Sequence, residues 1–597
     1  MACCVLVPLG SRSLGVVGGS LDGWTRGDRP RRVLLVCPPY QHTRVAPLST
    51  VLLSTYLRQQ KQECRDAHVY FDLARALGVE RYLAVAANLG STTGELLFAE
   101  GLHGRLSSEA RLRLDDHFGD AGRRSELREV VAEACRRHVV ATRPDVVGFT
   151  TSLNQLLAAL WLGRIIKQGF PEVLLVLGGA SCTDPMGRQI LAAYPHVDLV
   201  VSGPGELPLL GLARGDHPPA PFVENEARVD LDSLPTPDFA AVLDQAGEFA
   251  DDPRMMLTFE SSRGCWWGQK HHCRFCGLNG KQMRFSEKSS DRVLREVRAL
   301  WDAHQRPLLA TDTILSRTHL AHVLPRLGEF AERPRLFYEV KANLSQAEVV
   351  TLAQANAMAL QPGIESLSTR LLQLLEKGTT AIQNLGLLKW CREQGISLAW
   401  NQLCGIPGEQ VADYDAQIDL MEHIPHLNPP DGPNRVRIDR YSPYFERHRE
   451  FGWTRIEPLE QYGWFHPQLE GDELASISFR FSGVGAVSPE AYLDRFSRAV
   501  AEWRRRHDRG DGLFLDPEAG LLRNTDGKGF RFHQHPTLDA ILEHTHDIVP
   551  VARVIEAVGC PPAVITGLVR QGILYVEGNR VLNLAVRTRP PRAVSGR

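Results

Sequence analysis

Residues 256–277 read MLTFESSRGCWWGQKHHCRFCG, and this stretch decides the fold. Met256 to Glu260 form a candidate strand, and Cys265, Cys273 and Cys276 follow on the loop that leaves its C-terminal end. Downstream, candidate strands recur at Leu308 to Ala310, Leu336 to Val340, Ala359 to Gly363, Ser397 to Leu403 and Arg435 to Asp439, with helical patterns between them. Six such units over about 190 residues predict an open or partial (β/α)6 barrel at 251–445, whose working residues sit at the C-terminal ends of its strands.

Upstream, the apolar runs Val33 to Cys37, Val146 to Phe149, Val173 to Leu177 and Leu199 to Val201 each end in Pro, Gly, Thr or Ser. Short, wholly apolar strands of this kind are buried on both faces, as in parallel sheets. The helical pattern at Asn154 to Lys167 alternates with them, so 31–215 is read as a doubly wound, Rossmann-like α/β domain with its crevice beyond the strand ends. Residues 1–30 read as a flexible N-terminus and the Pro-rich 216–250 as a linker. Residues 446–510 read as a helical extension. At 511–597, helical spacing from Pro550 to Arg570 precedes two short strands around Gly578-Asn579, the order of a small α+β winged-helix-like domain.

Composition excludes several classes. Of 597 residues, 43% are hydrophobic and 23% charged, which disordered and collagen-like chains do not show. The formal net charge of -2 gives no global attraction to nucleic acid or an anionic membrane surface, and the mixed charge around Arg553, Glu556 and Glu577 disfavours nucleic acid at the C-terminal domain. No apolar stretch is long enough for a membrane span, no basic region precedes the first apolar run, and a cytoplasmic location is expected. Twelve Cys are too few for a disulfide framework, yet three crowd into residues 265–276.

Three thiolates on one loop can hold three irons of a [4Fe-4S] cube and leave the fourth open to a chelating substrate, such as the amino and carboxylate groups of S-adenosylmethionine (SAM). The competing reading is structural zinc, with His271 or His272 completing a fourth ligand. The loop's place at a barrel strand end, rather than in a self-contained finger, favours the cluster.

On these residues the sequence resembles the radical SAM enzymes, although seven residues, rather than their usual three, separate Cys265 from Cys273. With Gly264-Cys265-Trp266-Trp267-Gly268 and Cys276-Gly277-Leu278-Asn279-Gly280, the loop looks like that of the cobalamin-dependent C-methyltransferases that mature ribosomally made peptides. The resemblance continues through Asp312 to Leu315, Phe337 to Leu344, Gln361 to Leu367, Lys377-Gly378, Asn401 to Glu409 and Arg440 to Tyr444. It implies Glu339 and Glu365 as polar SAM contacts, Lys341 near the SAM carboxylate, and Gly363, Asn401, Gly405 and Gly408 along the rim, the two last leaving room for adenine. Trp266 and Trp267 either shield the cluster from water or pack as core aromatics.

In the N-terminal domain, the small residues at Thr150-Thr151-Ser152, Gly178-Gly179 and Gly203-Pro204-Gly205-Glu206 suit a large ligand with polar arms, but equally any nucleotide. The family resemblance, carried also by Pro38-Pro39-Tyr40 and Gln155, implies cobalamin there. The Asp-x-His-x-x-Gly signature of a histidine-ligated cobalt is absent: Asp66-Ala67-His68 lacks the following Gly.

The implied reaction uses one SAM as methyl source through cobalamin and a second as the source of a 5′-deoxyadenosyl radical, to methylate an unactivated carbon of a precursor peptide. It also implies an electron donor of flavodoxin or ferredoxin type. A cobalamin-binding radical SAM enzyme performing epimerisation or cyclisation would keep every motif. A metal-binding DNA regulator would leave the barrel pattern unexplained.

Overall fold

The computed structural model describes residues 30–88, 92–104, 106–485, 490–516, 520–524, 530–533 and 536–587, so the expected flexible N-terminus lies almost wholly outside the described residues. The described chain divides into two compact units. One takes the chain up to Tyr40, Leu57–Arg228 and Gly463–Ile477; the other takes Gln41–Tyr56, Val229–Tyr462 and the chain from Ser478 onward.

The first unit is built on β1 (Val33–Val36), β2 (Cys64–Ala67), β3 (Val146–Thr150), β4 (Leu174–Gly178), β5 (Leu199–Ser202) and β6 (Phe222–Glu224). They form one parallel sheet in the order β2-β1-β3-β4-β5-β6. Every residue of β1 is buried, as expected of a sheet covered on both faces. The chain leaves β1 to one side and returns to β3 on the other, so the topological switch point lies between β1 and β3, where doubly wound sheets bind their ligands.

Two strands escaped the sequence reading. β2 reads Cys-Arg-Asp-Ala, too polar for an apolar run, although Asp66 is buried. β6 lies inside the segment read as a linker and pairs with β5 as an edge strand, directly after the prolines of that segment. Helices at Tyr70–Leu77, Val79–Ala87, Thr93–His103, Ser108–Phe118 and Ala121–Thr142 intervene before β3. Gly463–Ile477, expected in the helical extension, joins this unit instead, and Tyr194 Oη lies 2.7 Å from His466 Nδ1.

In the second unit, parallel strands Leu257–Phe259, Leu308–Ala310, Leu336–Lys341, Ala357–Gly363 and Ser397–Leu398 stand side by side in chain order. Gln402–Cys404 pairs in parallel with Pro433–Arg435 and joins the series through a bridge between Glu365 and Gln402. This is an open six-unit series. The expected fifth strand breaks at Ala399–Asn401 because the Trp400 ring turns into the core, where its Nε1 donates to Asn428 O at 3.0 Å. The last expected strand splits: Pro433–Arg435 ends the series, and Ile438–Asp439 enters an antiparallel sheet with Arg480–Val484 and Arg455–Pro458. The expected helical extension is therefore part strand.

At the C-terminal end, helix Pro536–His544, strand Val549–Pro550, helices Val551–Val558 and Pro562–Arg570, and hairpin Leu574–Glu577/Arg580–Asn583 follow one another. The strand pairs with the second arm of the hairpin, which gives the strand order of a winged helix. Ile541, Leu542, Val554, Ile565, Leu568 and Val581 fill its core. A further sheet contains Gly512–Asp516 and Val586–Arg587, and its Leu513 and Leu515 pack into the same core. Among the described residues no single helix is long and apolar enough to cross a membrane.

Candidate active site

The loop carrying the cysteines is closed at its neck by an antiparallel pair, Ser262–Arg263 with Ser286–Glu287. Gly264 turns the chain with φ +79°, and a Cβ there would collide with Arg284 O, so the position demands glycine. Cys265 N donates to Met283 O at 3.2 Å, and Gly268 N donates to Cys265 Sγ at 3.2 Å. Cys276 N donates to Cys273 O at 3.1 Å, which closes the tight turn of the two later cysteines. The far end of the loop packs on the strand and turn at 438–444: a Cβ on Gly277 would meet Arg440 O, and Tyr444 N donates to Arg274 O.

Both histidines of the loop have neighbours within it. His271 stacks on Trp267 with centroids 4.2 Å apart, and His272 Nε2 donates to Cys276 O at 2.7 Å. Among the described residues, no three His, Cys, Asp or Glu side chains converge to hold a single metal ion. The donor set fits a cluster better: three thiols on one loop, with a backbone N–H directed at Cys265 Sγ, the kind of outer hydrogen bond that tunes iron–sulfur centres.

Lys377 is the electrostatic centre of the site. Its Nζ lies 2.9 Å from Glu365 Oε1. Burial works against its charge, but Glu365 and the thiols of Cys273 and Cys276 hold its pKa above the ordinary lysine value. Burial in turn raises the Cys273 thiol and pushes Cys276 up to about 12.

Lys341 Nζ sits 3.6 Å from the Trp267 ring centroid and donates to Lys377 O. Burial, then the charge of Lys377, lowers it to about 8. Burial, then Asp312, raises Glu339 to about 7. Lys341 and Gly363 are direct partners across neighbouring strands, and Glu339 stands two residues before Lys341 on the same strand face. The structure therefore brings Glu339, Lys341, Gly363 and Glu365 together with Lys377. A Cβ on Gly363 would meet Lys377 Nζ, so this glycine makes room for the ammonium group. Trp266 and Trp267 are both half-buried, with their indoles bonded to Leu315 O and Glu376 O.

Further along the rim, Asn401 is exposed, whereas its neighbour Gln402 is buried with both amide atoms unpaired. Gly405 and Gly408 have φ +75° and +83°. Their turn is fixed by Glu409, which accepts from Ile406 N at 2.7 Å and from the hydroxyls of Tyr414 and Tyr492 at 2.6 and 2.5 Å. Lys377, Gln402 and Glu409 have no assigned role in the sequence reading. Lys377 lies twelve positions after its partner Glu365, and no local periodicity marks such a pair.

In the first unit, the loops after β1 and β3 meet at the switch point. Gln155 Nε2 donates to Pro38 O at 3.0 Å while its Oε1 accepts from Ser152 N and Oγ, so this side chain ties the two loops together. Thr151 Oγ1 donates to Gly178 O at 3.0 Å. Gly179, at φ +107°, lies so close to the Thr151 backbone that any Cβ would collide with it. Thr150, Gly178, Gly203 and Gly205 are partly exposed, Ser152 and Gly179 are exposed, and Glu206 is buried at the start of helix Glu206–Arg214. Pro39 is buried in the β1 loop. These small residues lie at the C-terminal ends of the strands. His68 is buried against Asp66 at 2.8 Å, so it is not presented to a cobalt ion.

Barrel strands and cysteine loop together define a radical SAM domain, and residues 259–421 match the Radical SAM superfamily. Such a domain uses a [4Fe-4S] cluster and SAM. Among curated proteins the chain is similar to the uncharacterized methyltransferase PH0819 of Pyrococcus horikoshii, 23% identical over 310 residues, which cover 47% of this chain and 64% of that protein. It is also similar to the cobalamin-dependent radical SAM methyltransferase TokK of Streptomyces tokunonensis, 26% identical over 173 residues, covering 26% of this chain and 25% of TokK. The chain thus spans less than two thirds of the length of these relatives. Among solved structures, the radical SAM methyltransferase TsrM from Kitasatospora setae, with cobalamin and a [4Fe-4S] cluster bound, shares the fold with a TM-score of 0.52 at 17% identity, over 80% of this chain and 91% of TsrM.

Proposed function

We propose that this chain is a cobalamin-dependent radical SAM C-methyltransferase that acts on an unactivated carbon of a ribosomally made precursor peptide. The observation that carries the reading is the presence, in one chain, of a three-cysteine loop beside the Glu365–Lys377 pair and of a doubly wound sheet whose switch-point loops are small and tied together. When bound, the cluster supplies the electron that cleaves the S–C5′ bond of SAM, and cobalamin carries the methyl group.

Cys265, Cys273 and Cys276 hold the cluster. Lys377 offers a fixed positive charge to the SAM carboxylate, Glu365 keeps that ammonium in place, and Lys341 adds a second cation. Glu339 and Gln402 present polar atoms to ribose hydroxyls, and the Gly405–Gly408 turn leaves room for adenine. In the first unit, Pro39, Thr150, Ser152, Gly178, Gly203 and Gly205 border the corrin, while Gln155, Thr151, Gly179 and Glu206 set the shape of that border. No general base is needed at the substrate carbon, because hydrogen leaves as an atom. The peptide class rests on the resemblance carried by the ordered motifs from Gly264 to Tyr444, while the similarity to TokK and TsrM supports methyl transfer. A flavodoxin or ferredoxin type of donor would supply the electron, and a cytoplasmic setting suits its reduced thiols.

The test is anaerobic reconstitution with iron, sulfide and cobalamin, followed by SAM, reductant and a candidate precursor peptide. S-adenosylhomocysteine, 5′-deoxyadenosine and a peptide heavier by about one CH₂ are expected. 5′-Deoxyadenosine without added mass would instead support epimerisation or cyclisation.

A further inference from the structure

Asp312 follows the strand Leu308–Ala310 and is 1% exposed. Its Oδ1 accepts from Ser261 N at 2.7 Å and Ser262 N at 3.0 Å, and its Oδ2 is bonded to Ser261 Oγ. Three residues later, Leu315 O accepts from Trp266 Nε1 at 3.1 Å, and Leu315 N is anchored to Glu339 O at 2.8 Å. The segment 312–315 therefore grips the chain on both sides of Cys265: before it through a carboxylate, and after it through a carbonyl.

The grip extends inward. His319 Nδ1 lies 3.1 Å from Ser261 Oγ, and His319 Nε2 donates to Lys288 O at 2.8 Å. Lys288 Nζ reaches Glu296 Oε2 at 2.7 Å, and all these side chains are buried. The Nε2 proton meets the Lys288 carbonyl.

We infer that Asp312 is a positioning residue for Cys265. Cys273 and Cys276 set each other's place through their shared turn, whereas Cys265 stands eight positions before Cys273 and takes its place from the chain that Asp312 and Leu315 fix. The inference rests on the reading that the three cysteines hold a [4Fe-4S] cluster.

Full-length wild type, Asp312→Ala, Asp312→Asn, Ser261→Ala and Trp266→Phe are reconstituted anaerobically. Iron per chain, the low-temperature electron paramagnetic resonance (EPR) spectrum of the reduced protein and the rate of cluster loss to a chelator are measured, with thermal melting as the folding control. Asp312→Ala is expected to lose its cluster about tenfold faster or more, the usual scale for removing an outer partner of a metal ligand. Asp312→Asn is expected to stay close to wild type, because its Oδ1 still accepts from both N–H groups and its Nδ2 donates to Ser261 Oγ. Ser261→Ala and Trp266→Phe, which each remove a bond and keep the carboxylate, should fall between and decide the matter if Asp312→Ala does not fold. Wild-type loss rates and spectra in all of these variants would overturn the inference, as would equal loss in Asn and Ala variants, which would assign the effect to charge. A wild type that takes up no cluster overturns the underlying reading instead.

Discussion

Lys377 Nζ and Glu365 Oε1 lie 2.9 Å apart, with side chains only 13% and 16% exposed, beside the thiols of Cys273 and Cys276. A lysine so enclosed needs its carboxylate, since removing one partner of a buried pair strands the other charge. Lys377→Met is expected to raise the dissociation constant for SAM about tenfold or more, and Glu365→Gln to lower stability by about 2–4 kcal/mol. Equilibrium SAM binding to the reconstituted protein and denaturant melts check both. Unchanged SAM affinity in Lys377→Met would confine the lysine to a structural role.

Gly363 gives an independent route to the same end. A Cβ at this position falls on the Lys377 ammonium, so Gly363→Ala should weaken SAM binding nearly as much as Lys377→Met while leaving iron content unchanged. The double variant should add little, because both act on one group.

Glu95 sets a pH dependence in the first unit. It is fully buried, and although it accepts from Leu157 N at 2.7 Å, burial raises its carboxyl from 4.5 to about 8. The folded chain then holds this proton more tightly than the unfolded chain between those values. Stability contributed by the group is full below pH 4.5 and falls as pH rises towards 8. Glu95→Gln, whose carbonyl can still accept from Leu157 N, should melt several degrees above wild type at pH 8, with the gap closing towards pH 5. A gap independent of pH would contradict the assignment.

Gln155 makes a different prediction for the cofactor edge. Gln155→Ala unties Pro38 from Ser152, so cobalamin should bind about tenfold more weakly with the iron content unaffected. Spectrophotometric titration of cobalamin into the apoprotein reads this directly.

Much of the fold was legible because it rests on short apolar runs: β1 and β3 to β5 are buried Val and Leu segments, and periodicity finds them. What escaped was held by tertiary context. β2 carries Arg65 and Asp66, β6 follows prolines, and the fifth barrel strand breaks where Trp400 turns inward. The site divides in the same way. Cysteine spacing is local, so Cys265, Cys273 and Cys276 announce themselves. The partners of Glu365 and Ser261 are distant in sequence, and only folding shows that Lys377 and Asp312 serve them.

The most direct test of the central claim is metal analysis and low-temperature EPR of the anaerobically reconstituted full-length protein, with and without SAM. About four irons per chain and a reduced-cluster signal that changes when SAM is added are expected, all lost in Cys276→Ala. One zinc per chain, no iron–sulfur signal and no response to SAM would contradict it.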